Sequence, residues 1–236
     1  MKTLFDKLYN KSEESFYKIL EKNLKNDKKT FIVTANPETF MMSEKDEKMR
    51  ELLLDKNTIL VPDGIGIVKA ARMINYDVKE RIAGIDIANK LLELGDKQKK
   101  TIYLFGSKQE VIDSMKEVLK KDYPNLELAG ASNGYEKDKD KVFEKIANVK
   151  PDIVLVALGI PLQEKLIYKH LDKFDKGIFV GVGGSFDVIS GHKKRAPKIF
   201  IKLNLEWLYR ILKEPKRLKR FYDSNVKFLF KVKKYK

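Results

Sequence analysis

The most informative residues of this 236-residue chain are polar residues and glycines that directly follow short apolar runs. Thr34 and Asn36 follow the first run, Asp63 the second, and Gln163 and the segment 181–187 follow two later ones. In open α/β sheets, ligands bind at the carboxyl ends of the strands. The sequence therefore predicts a ligand site where several strand ends meet at one edge of a sheet.

Asp63 is the strongest candidate for acid–base chemistry. Gly64 and Gly66 come directly after it and open a predicted helix, so a ligand can approach the backbone closely. An aspartate that is ionised at neutral pH can take a proton from a substrate hydroxyl. The position also suits a helix N-cap, in which backbone amides would occupy the carboxylate. The residue types alone leave both interpretations open.

The glycine-rich turns do not form a dinucleotide fingerprint. The turn that contains Gly181 and Gly183 has Phe186 where the fingerprint requires glycine, and the turn after Asp63 has Lys69 there. Backbone amides at these turns remain compatible with binding a nucleotide diphosphate, and equally with a simple tight turn.

A metal site is not predicted. His170 and His192 are the only histidines and belong to no ligand-spaced cluster, and the pair Asp138 and Asp140 lies in a charged run at a helix start. Cationic side chains would then have to neutralise a leaving diphosphate. The candidate arginines are Arg81, Arg195, Arg210, Arg217 and Arg220.

The positive charge of the chain is concentrated at its C-terminus. Residues 192–236 hold 16 lysines and arginines against three acids, which accounts for +13 of the net charge of +15. Such a segment favours an anionic partner, which can be acidic lipid, a phosphorylated substrate or nucleic acid. No base-reading motif accompanies it, so nucleic acid is the least favoured of the three. Cysteine is absent, and no apolar run is long enough for a membrane span.

Short β-branched runs alternate with helical patterns along the first 190 residues. This alternation predicts an α/β fold with a doubly wound, mostly parallel, Rossmann-like sheet over residues 1–194, followed by a basic, amphipathic helical appendage over 195–236. Strands are predicted at 31–34, 58–61, 101–105, 126–129, 152–158 and 177–182. Helices are predicted at 3–27, 38–55, 64–75, 84–97, 108–122, 138–149, 161–174, 197–213 and 215–234, the last two separated at Pro215.

Seven motifs in this order resemble the WecG/TagA/CpsF glycosyltransferase family. They are Thr34-Ala-Asn36, Pro62-Asp63-Gly64-Ile-Gly66, Arg81-Ile-Ala-Gly84-Ile-Asp86, Gly159-Ile-Pro161-Leu-Gln163-Glu164, Gly181-Val-Gly183-Gly184-Ser-Phe-Asp187, Arg195-Ala-Pro197, and Leu205-Glu206-Trp207-Leu208-Tyr209-Arg210 with Glu214-Pro215-Lys-Arg217. The resemblance covers residues 30 to 220. It departs from the family pattern at Asn204, where glycine is expected.

The resemblance implies an inverting, metal-independent and cofactor-free transferase. The implied donor is UDP-N-acetylmannosamine and the acceptor is undecaprenyl-diphosphate-linked N-acetylglucosamine, joined by a β-1,4 bond in the linkage unit of wall teichoic acid. It further implies a peripheral location on the cytoplasmic face of the cell membrane, with the appendage closing the active site and contacting the anionic bilayer. The resemblance leaves two points open. The donor can be another UDP-sugar, such as UDP-N-acetylmannosaminuronic acid or UDP-glucose, and the protein can form a homo-oligomer.

The resemblance also implies roles for individual residues. Asp63 would be the catalytic base. Substrate would be bound by Thr34, Asn36, Arg81, Gln163, Gly183 and Asp187 in the α/β core and by Arg210, Arg217 and Arg220 in the appendage.

Overall fold

A computed structural model of the chain describes residues 1–235, without the side chains of Arg217 and Arg220. Six parallel strands form one sheet in the order β2-β1-β6-β5-β3-β4. The strands are β1 Thr30–Ala35, β2 Thr58–Pro62, β3 Thr101–Gly106, β4 Glu127–Ser132, β5 Ile153–Ala157 and β6 Ile178–Gly181. The predicted doubly wound parallel sheet is confirmed.

Helices cover both faces of this sheet. The first seven are α1 Lys2–Lys7, α2 Glu13–Lys25, α3 Pro37–Ser43, α4 Glu47–Leu54, α5 Ile65–Met73, α6 Gly84–Lys97 and α7 Gln109–Asp122. The next three are α8 Lys139–Val149, α9 Leu162–His170, which continues as a 3-10 turn Leu171–Lys173, and α10 Ser185–Ile189. The C-terminal ones are α11 Lys198–Lys202, α12 Glu206–Lys213, α13 Arg217–Phe221, a π-helical turn Tyr222–Val226 and α14 Lys227–Lys233.

Alternate strand residues supply two separate cores, as expected for a sheet that is covered on both faces. Phe31 and Val33 of β1 point into one core with α1, α3, α4, α5, α8, α9 and α14, while Ile32 points into the other with α2, α6 and α7. All three side chains are 0–1% exposed. This two-sided burial explains why the strands read as continuous apolar runs.

Side-chain caps divide two of the predicted helices. Ser12 caps α2, so the predicted helix 3–27 is two helices, between which Leu8 makes a parallel bridge to Leu60. Asp46 caps α4 by accepting a hydrogen bond from the Met49 amide at 3.0 Å, which divides the predicted helix 38–55.

Asn204 divides the predicted helix 197–213. Its φ of +58° is a left-handed conformation that ends α11 and that only glycine, asparagine and aspartate adopt readily. The departure from the family pattern is therefore a conservative one in backbone terms. The expected interruption at Pro215 is confirmed, because α12 ends at Lys213 and α13 begins at Arg217.

The last helix of the appendage is packed into the α/β core. Phe228 of α14 is fully buried between Phe5 of α1 and Phe40 of α3, with ring centroids 6.3 and 5.6 Å away, and Val232 is buried one turn later. Residues 195–235 thus leave the core near α6, cross the carboxyl edge of the sheet and re-enter the core beside α3 and α5.

Candidate active site

Asp63 lies at the carboxyl edge of the sheet, directly after β2. Its amide donates a hydrogen bond to the Ala35 carbonyl at 2.8 Å, which extends the β1–β2 pairing by one residue. Gly64, at a φ of +103°, then turns the chain, and α5 begins at Ile65 with no side-chain cap. Asp63 therefore does not cap a helix, which removes the structural alternative left open by the sequence. Its side chain is 29% exposed.

Arg81 and Glu206 complete an ionic cluster around Asp63. The Nε of Arg81 lies 3.7 Å from an Asp63 carboxylate oxygen, and its Nη2 lies 2.7 Å from Glu206. Arg210 binds the second oxygen of Glu206 at 2.6 Å. The Glu206 side chain is only 6% exposed, so this carboxylate holds one arginine from the core and one from the appendage. Two sequence-predicted site residues, Arg81 and Arg210, are thereby brought together with Asp63.

Sequence reasoning assigned no role to Glu206. A usable signal was present, because it is one of only three acids in the strongly basic C-terminal 45 residues and stands directly before Trp207 in an apolar stretch. An acid in such a setting is rarely buried unless it is paired.

The two carboxylates of the cluster have opposite pKa shifts. Burial raises the pKa of Asp63, and the nearby charge of Glu206 raises it further, against the opposing effect of Arg81 and Arg210. Burial would also raise the pKa of Glu206, but its contacts with Arg210 and Arg81 outweigh burial and leave that pKa lowered. The arginines therefore favour the ionised form of Glu206, and Asp63 is the carboxylate whose proton affinity is increased.

Thr34 and Asn36 lie near Asp63 at the end of the neighbouring strand: Thr34 is in β1, and Asn36 directly follows β1. Gly84, the first residue of α6, lies so close to Thr34 that an added Cβ would come within 3.4 Å of its methyl group. Asn36 caps α3 by accepting a hydrogen bond from the Thr39 amide at 3.0 Å, and its Cβ lies 4.0 Å from the position a Cβ would take at Gly64. Both residues are thus held at the same sheet edge as Asp63.

Gln163 is buried and makes internal hydrogen bonds. Its Oε1 accepts hydrogen bonds from the amides of Gly159 at 3.0 Å and Gly183 at 3.1 Å, and its Nε2 donates to Glu164 at 2.8 Å. At 2% exposure, its direct action in the structure is to tie the turn after β5 to the turn after β6. Gly181 is required there, because a Cβ would lie 2.5 Å from the Gln163 Nε2.

Asp187 lies in α10, which follows the glycine turn after β6. Its carboxylate lies 3.3 Å from Lys193, and no hydrogen bond or ion pair of the described residues connects it with Asp63. Arg195 is bound through both Nη atoms to Asp86 of α6, at 2.6 and 2.8 Å, and so fixes the start of the appendage. The side chains of Arg217 and Arg220 lie outside the described part of the structure.

The charged run 136–141 forms ordinary helix-end contacts. Asp138 caps α8 through the Lys141 amide at 3.0 Å, and Asp140 binds Lys169 and His170. Across residues 1–235, no group of three or more acidic or histidine side chains is placed to hold a metal ion. None of the helices in that range is long and apolar enough to cross a bilayer.

The fold and this cluster define a class: an α/β protein with a carboxylate and arginines at the carboxyl edge of a parallel sheet, to which the C-terminal segment contributes Glu206 and Arg210. The family model described as "Glycosyl transferase WecG/TagA/CpsF family" matches residues 3–236. The chain belongs to this glycosyltransferase family.

Curated relatives are similar along most of their length. The N-acetylglucosaminyldiphosphoundecaprenol N-acetyl-beta-D-mannosaminyltransferase of Bacillus subtilis (strain 168) is 43% identical over 212 residues, 89% of this chain and 82% of the relative. The protein of the same name from Bacillus spizizenii is 44% identical over 197 residues, 84% of this chain and 76% of the relative. The one from Staphylococcus aureus (strain MW2) is 35% identical over 206 residues, 87% and 80% of the two chains.

Proposed function

We propose that this protein transfers N-acetylmannosamine from UDP-N-acetylmannosamine to undecaprenyl-diphosphate-linked N-acetylglucosamine with inversion, as in the linkage unit of wall teichoic acid. The observation that carries the proposal is the Asp63–Arg81–Glu206 cluster at the sheet edge, in a chain whose relatives are named for this transfer. The names of these relatives favour this donor over UDP-N-acetylmannosaminuronic acid or UDP-glucose.

Asp63 acts as the general base. In a single displacement, one carboxylate takes the proton from the acceptor hydroxyl while the nucleotide diphosphate leaves from the opposite face of the donor sugar. A carboxylate with a raised pKa is a better proton acceptor, provided it is still ionised at the working pH. The Nε of Arg81 is buried and has no hydrogen-bond partner of its own in the described structure, so it can orient the hydroxyl or a sugar oxygen beside Asp63.

Arginines and backbone amides neutralise the leaving diphosphate in place of a metal ion. Arg210 reaches the cluster from α12 with 55% of its side chain exposed, which leaves it accessible to a substrate phosphate. The amide of Gly183 is bound by Gln163, but the open space beside this residue, whose φ is +50°, leaves room for a phosphate at the turn, and Asp187 follows it on the nucleotide side. By motif, Arg217 and Arg220 act on the same phosphates.

The appendage docks the enzyme on the cytoplasmic face of an anionic membrane and keeps the active site covered. Seven large apolar side chains of the appendage are 41–65% exposed, among lysines and arginines: Ile199, Leu203, Leu212, Leu218, Tyr222, Phe230 and Tyr235. Exposed apolar groups with interspersed basic residues are the make-up of an interfacial helix. A lipid-linked acceptor makes such a location useful.

The test is product analysis with the purified full-length chain. A synthetic N-acetylglucosamine acceptor on a lipid diphosphate is incubated with a panel of UDP-sugars in excess EDTA, and product mass and anomeric configuration are read by mass spectrometry and NMR. We expect β-linked N-acetylmannosamine in the presence of EDTA. Transfer of a different sugar overturns the donor assignment, and activity that returns only with Mg²⁺ or Mn²⁺ overturns metal independence.

A further inference from the structure

A groove outside the Asp63 cluster separates α3 from the end of the appendage. It is an open groove with a volume of about 480 Å³, within the range of small-molecule sites. Its lining consists of Glu38, Met41, Met42 and Lys45 on one side and Lys216, Lys219, Asp223 and Ser224 on the other. The two methionines give it an apolar floor and the three lysines give it a basic rim.

The lysines of the rim are available to an anionic ligand. In the described structure, no carboxylate forms an ion pair with Lys45, Lys216 or Lys219, whereas Asp223 is bound by Lys227 at 2.6 Å. The pKa of Asp223 is lowered chiefly by the hydrogen bond from Lys227, and Lys219 and Lys45 lie near enough to lower it further, so these two lysines lie in the same part of the groove as Asp223. A diphosphate would replace water around several ammonium groups at once.

The groove begins close to the sheet edge that carries Asp63. Its first residue, Glu38, is two residues beyond Asn36, which lies beside Gly64. At Gly66, an added Cβ would lie 2.9 Å from Pro37 and 3.2 Å from Asn225, so α3, α5 and the π-helical turn meet there without a gap. A ligand in the groove would therefore lie beside the candidate active site, on the other side of this contact.

Exposed apolar side chains of the appendage lie on the same helical segment as the lysines of the groove. Lys216, Lys219 and Asp223 are spaced i, i+3 and i+7, so they share one face of the helix. Leu218 and Tyr222, spaced i and i+4, occupy the neighbouring face and are 58% and 54% exposed. An amphiphile leaving the groove would meet these apolar side chains next.

We propose that this groove binds the polyprenyl diphosphate of the acceptor, with Lys45, Lys216 and Lys219 on the phosphates and Met41 and Met42 along the first isoprenoid units. The assignment rests on the proposed function for the identity of the lipid. The groove's chemistry fits the same ligand class, since its three lysines outnumber the acids Glu38 and Asp223 and its floor is apolar and flexible. Methionine suits an irregular chain, because its thioether side chain adapts its shape.

The binding test uses farnesyl diphosphate, farnesol and inorganic diphosphate with the full-length protein. We expect Lys45→Ala/Lys216→Ala/Lys219→Ala to weaken the binding of farnesyl diphosphate by at least about tenfold. We expect Met41→Gln/Met42→Gln to weaken the binding of farnesyl diphosphate by about tenfold and to leave the affinity for inorganic diphosphate unchanged. The matched control is Lys25→Ala/Lys120→Ala/Lys121→Ala, three exposed lysines at the ends of α2 and α7, and it should bind as the wild type does.

Two results would overturn the groove assignment. Unchanged farnesyl diphosphate affinity in both groove variants excludes the site, and a loss confined to the lysine variant reduces it to a simple anion site. A photoreactive farnesyl diphosphate provides a measurement on the wild type that does not depend on variant folding. Its cross-links should map to residues 38–45 and 216–224, and cross-links found only elsewhere reject the proposal.

An acceptor comparison separates this proposal from the proposed function. With an undecaprenyl acceptor the groove variants should raise the acceptor KM and leave the KM of the UDP-sugar unchanged, whereas with a water-soluble phenyl diphosphate acceptor the methionine variant should match the wild type. An equal rise in KM for both acceptors in the methionine variant contradicts the isoprenoid contact. Absence of transfer by the wild type would refute the proposed function alone, and the binding and cross-linking results would still decide the groove.

Discussion

At the residue scale, Asp63 combines a functional position with a cost in stability. Its pKa is raised in the folded protein, so the unfolded chain binds fewer protons between the two pKa values and stability falls as the pH rises through that interval. At neutral pH the ionised carboxylate therefore destabilises the fold. Its retention at the sheet edge agrees with a requirement for a proton acceptor there.

The first prediction concerns Asp63→Asn. We expect turnover to fall by about 10² to 10⁴ because the acceptor hydroxyl loses its base, while UDP-sugar binding persists and the melting temperature at neutral pH is unchanged or higher. Steady-state kinetics, donor titration and thermal unfolding measure these effects. Near-normal turnover would exclude Asp63 as the base.

Asp152→Asn is the matched control for stability. Burial acts to raise the pKa of Asp152, but its hydrogen bonds with Lys176 and Thr101 outweigh burial and leave that pKa lowered. This carboxylate therefore stabilises the fold above its unfolded pKa, and the stability is lost as the pH falls through the folded value. We expect Asp152→Asn to lower the melting temperature, opposite to Asp63→Asn, and to leave the catalytic pH profile unchanged.

The second prediction concerns Glu206→Gln. Without this negative charge, the positive charges of Arg81 and Arg210 act on Asp63 unopposed by Glu206. The pKa of Asp63 should therefore fall, and the acidic limb of the kcat/KM profile should move to lower pH. Activity should also fall, because a glutamine has one acceptor oxygen where Glu206 uses two, so only one of Arg81 and Arg210 can keep its hydrogen bond. Glu117→Gln, an exposed acid on α7, is the control; an unshifted acidic limb in Glu206→Gln would separate Glu206 from the base.

At the element scale, the turns after β5 and β6 are held together by one buried pair. Gln163 binds both turns and Glu164 fixes the orientation of its amide, since Glu164 Oε1 accepts the Nε2 hydrogen bond. The second oxygen of Glu164 is buried without a hydrogen-bond partner in the described residues, and burial raises the pKa of this carboxyl to about 7. Ionisation near neutral pH should therefore loosen the two turns.

The third prediction is a pH-dependent stability difference in Glu164→Gln. The folded pKa of about 7 exceeds an unfolded value of about 4.3, so the wild type loses stability as the pH rises between them, on the order of 4 kcal/mol at most. We expect the variant to match the wild type near pH 4 and to have the higher melting temperature at pH 8. Parallel curves across this range would contradict an ionisable, buried Glu164.

The sequence predicted the elements better than their ends and contacts. Six strands followed from apolar runs covered on both faces, and the break at Pro215 followed from its missing amide. The breaks at Ser12, Asp46 and Asn204 depended on single capping or left-handed residues inside otherwise continuous helical patterns. Periodicity cannot register such positions, because one residue leaves the apolar spacing intact.

The sequence predicted which residues form the candidate site, but it did not predict which of them contact one another. Motifs placed Asp63 and Arg81 at a common edge, but the partner that joins them to the appendage, Glu206, lies 125 positions from Arg81. Likewise, Gln163 was predicted to bind substrate, whereas its hydrogen bonds in the structure are with backbone amides and Glu164. These contacts depend on how the chain crosses the sheet edge, which local spacing does not encode.

At the scale of the whole molecule, the appendage has two different apolar surfaces. Phe228 and Val232 are buried in the core, so deleting residues 195–236 would expose Phe5 and Phe40 and confound a loss of membrane binding with a loss of stability. The exposed side chains Leu212, Leu218 and Phe230 can be changed without opening that core.

The fourth prediction therefore uses Leu212→Ser/Leu218→Ser/Phe230→Ser in the full-length chain. These side chains are 58–65% exposed, so the melting temperature should change little, while sedimentation with phosphatidylglycerol vesicles should weaken by about tenfold or more. Tyr135→Ser/Val149→Ser/Leu162→Ser, exposed apolar residues outside the appendage, is the matched control and should sediment as the wild type does. Raising the salt concentration should weaken binding of all three proteins, because the lysines and arginines contribute an attraction that ions screen. Equal vesicle binding by the two triple variants would locate the membrane contact elsewhere, and it would leave the exposed apolar side chains of the appendage without the role proposed for them.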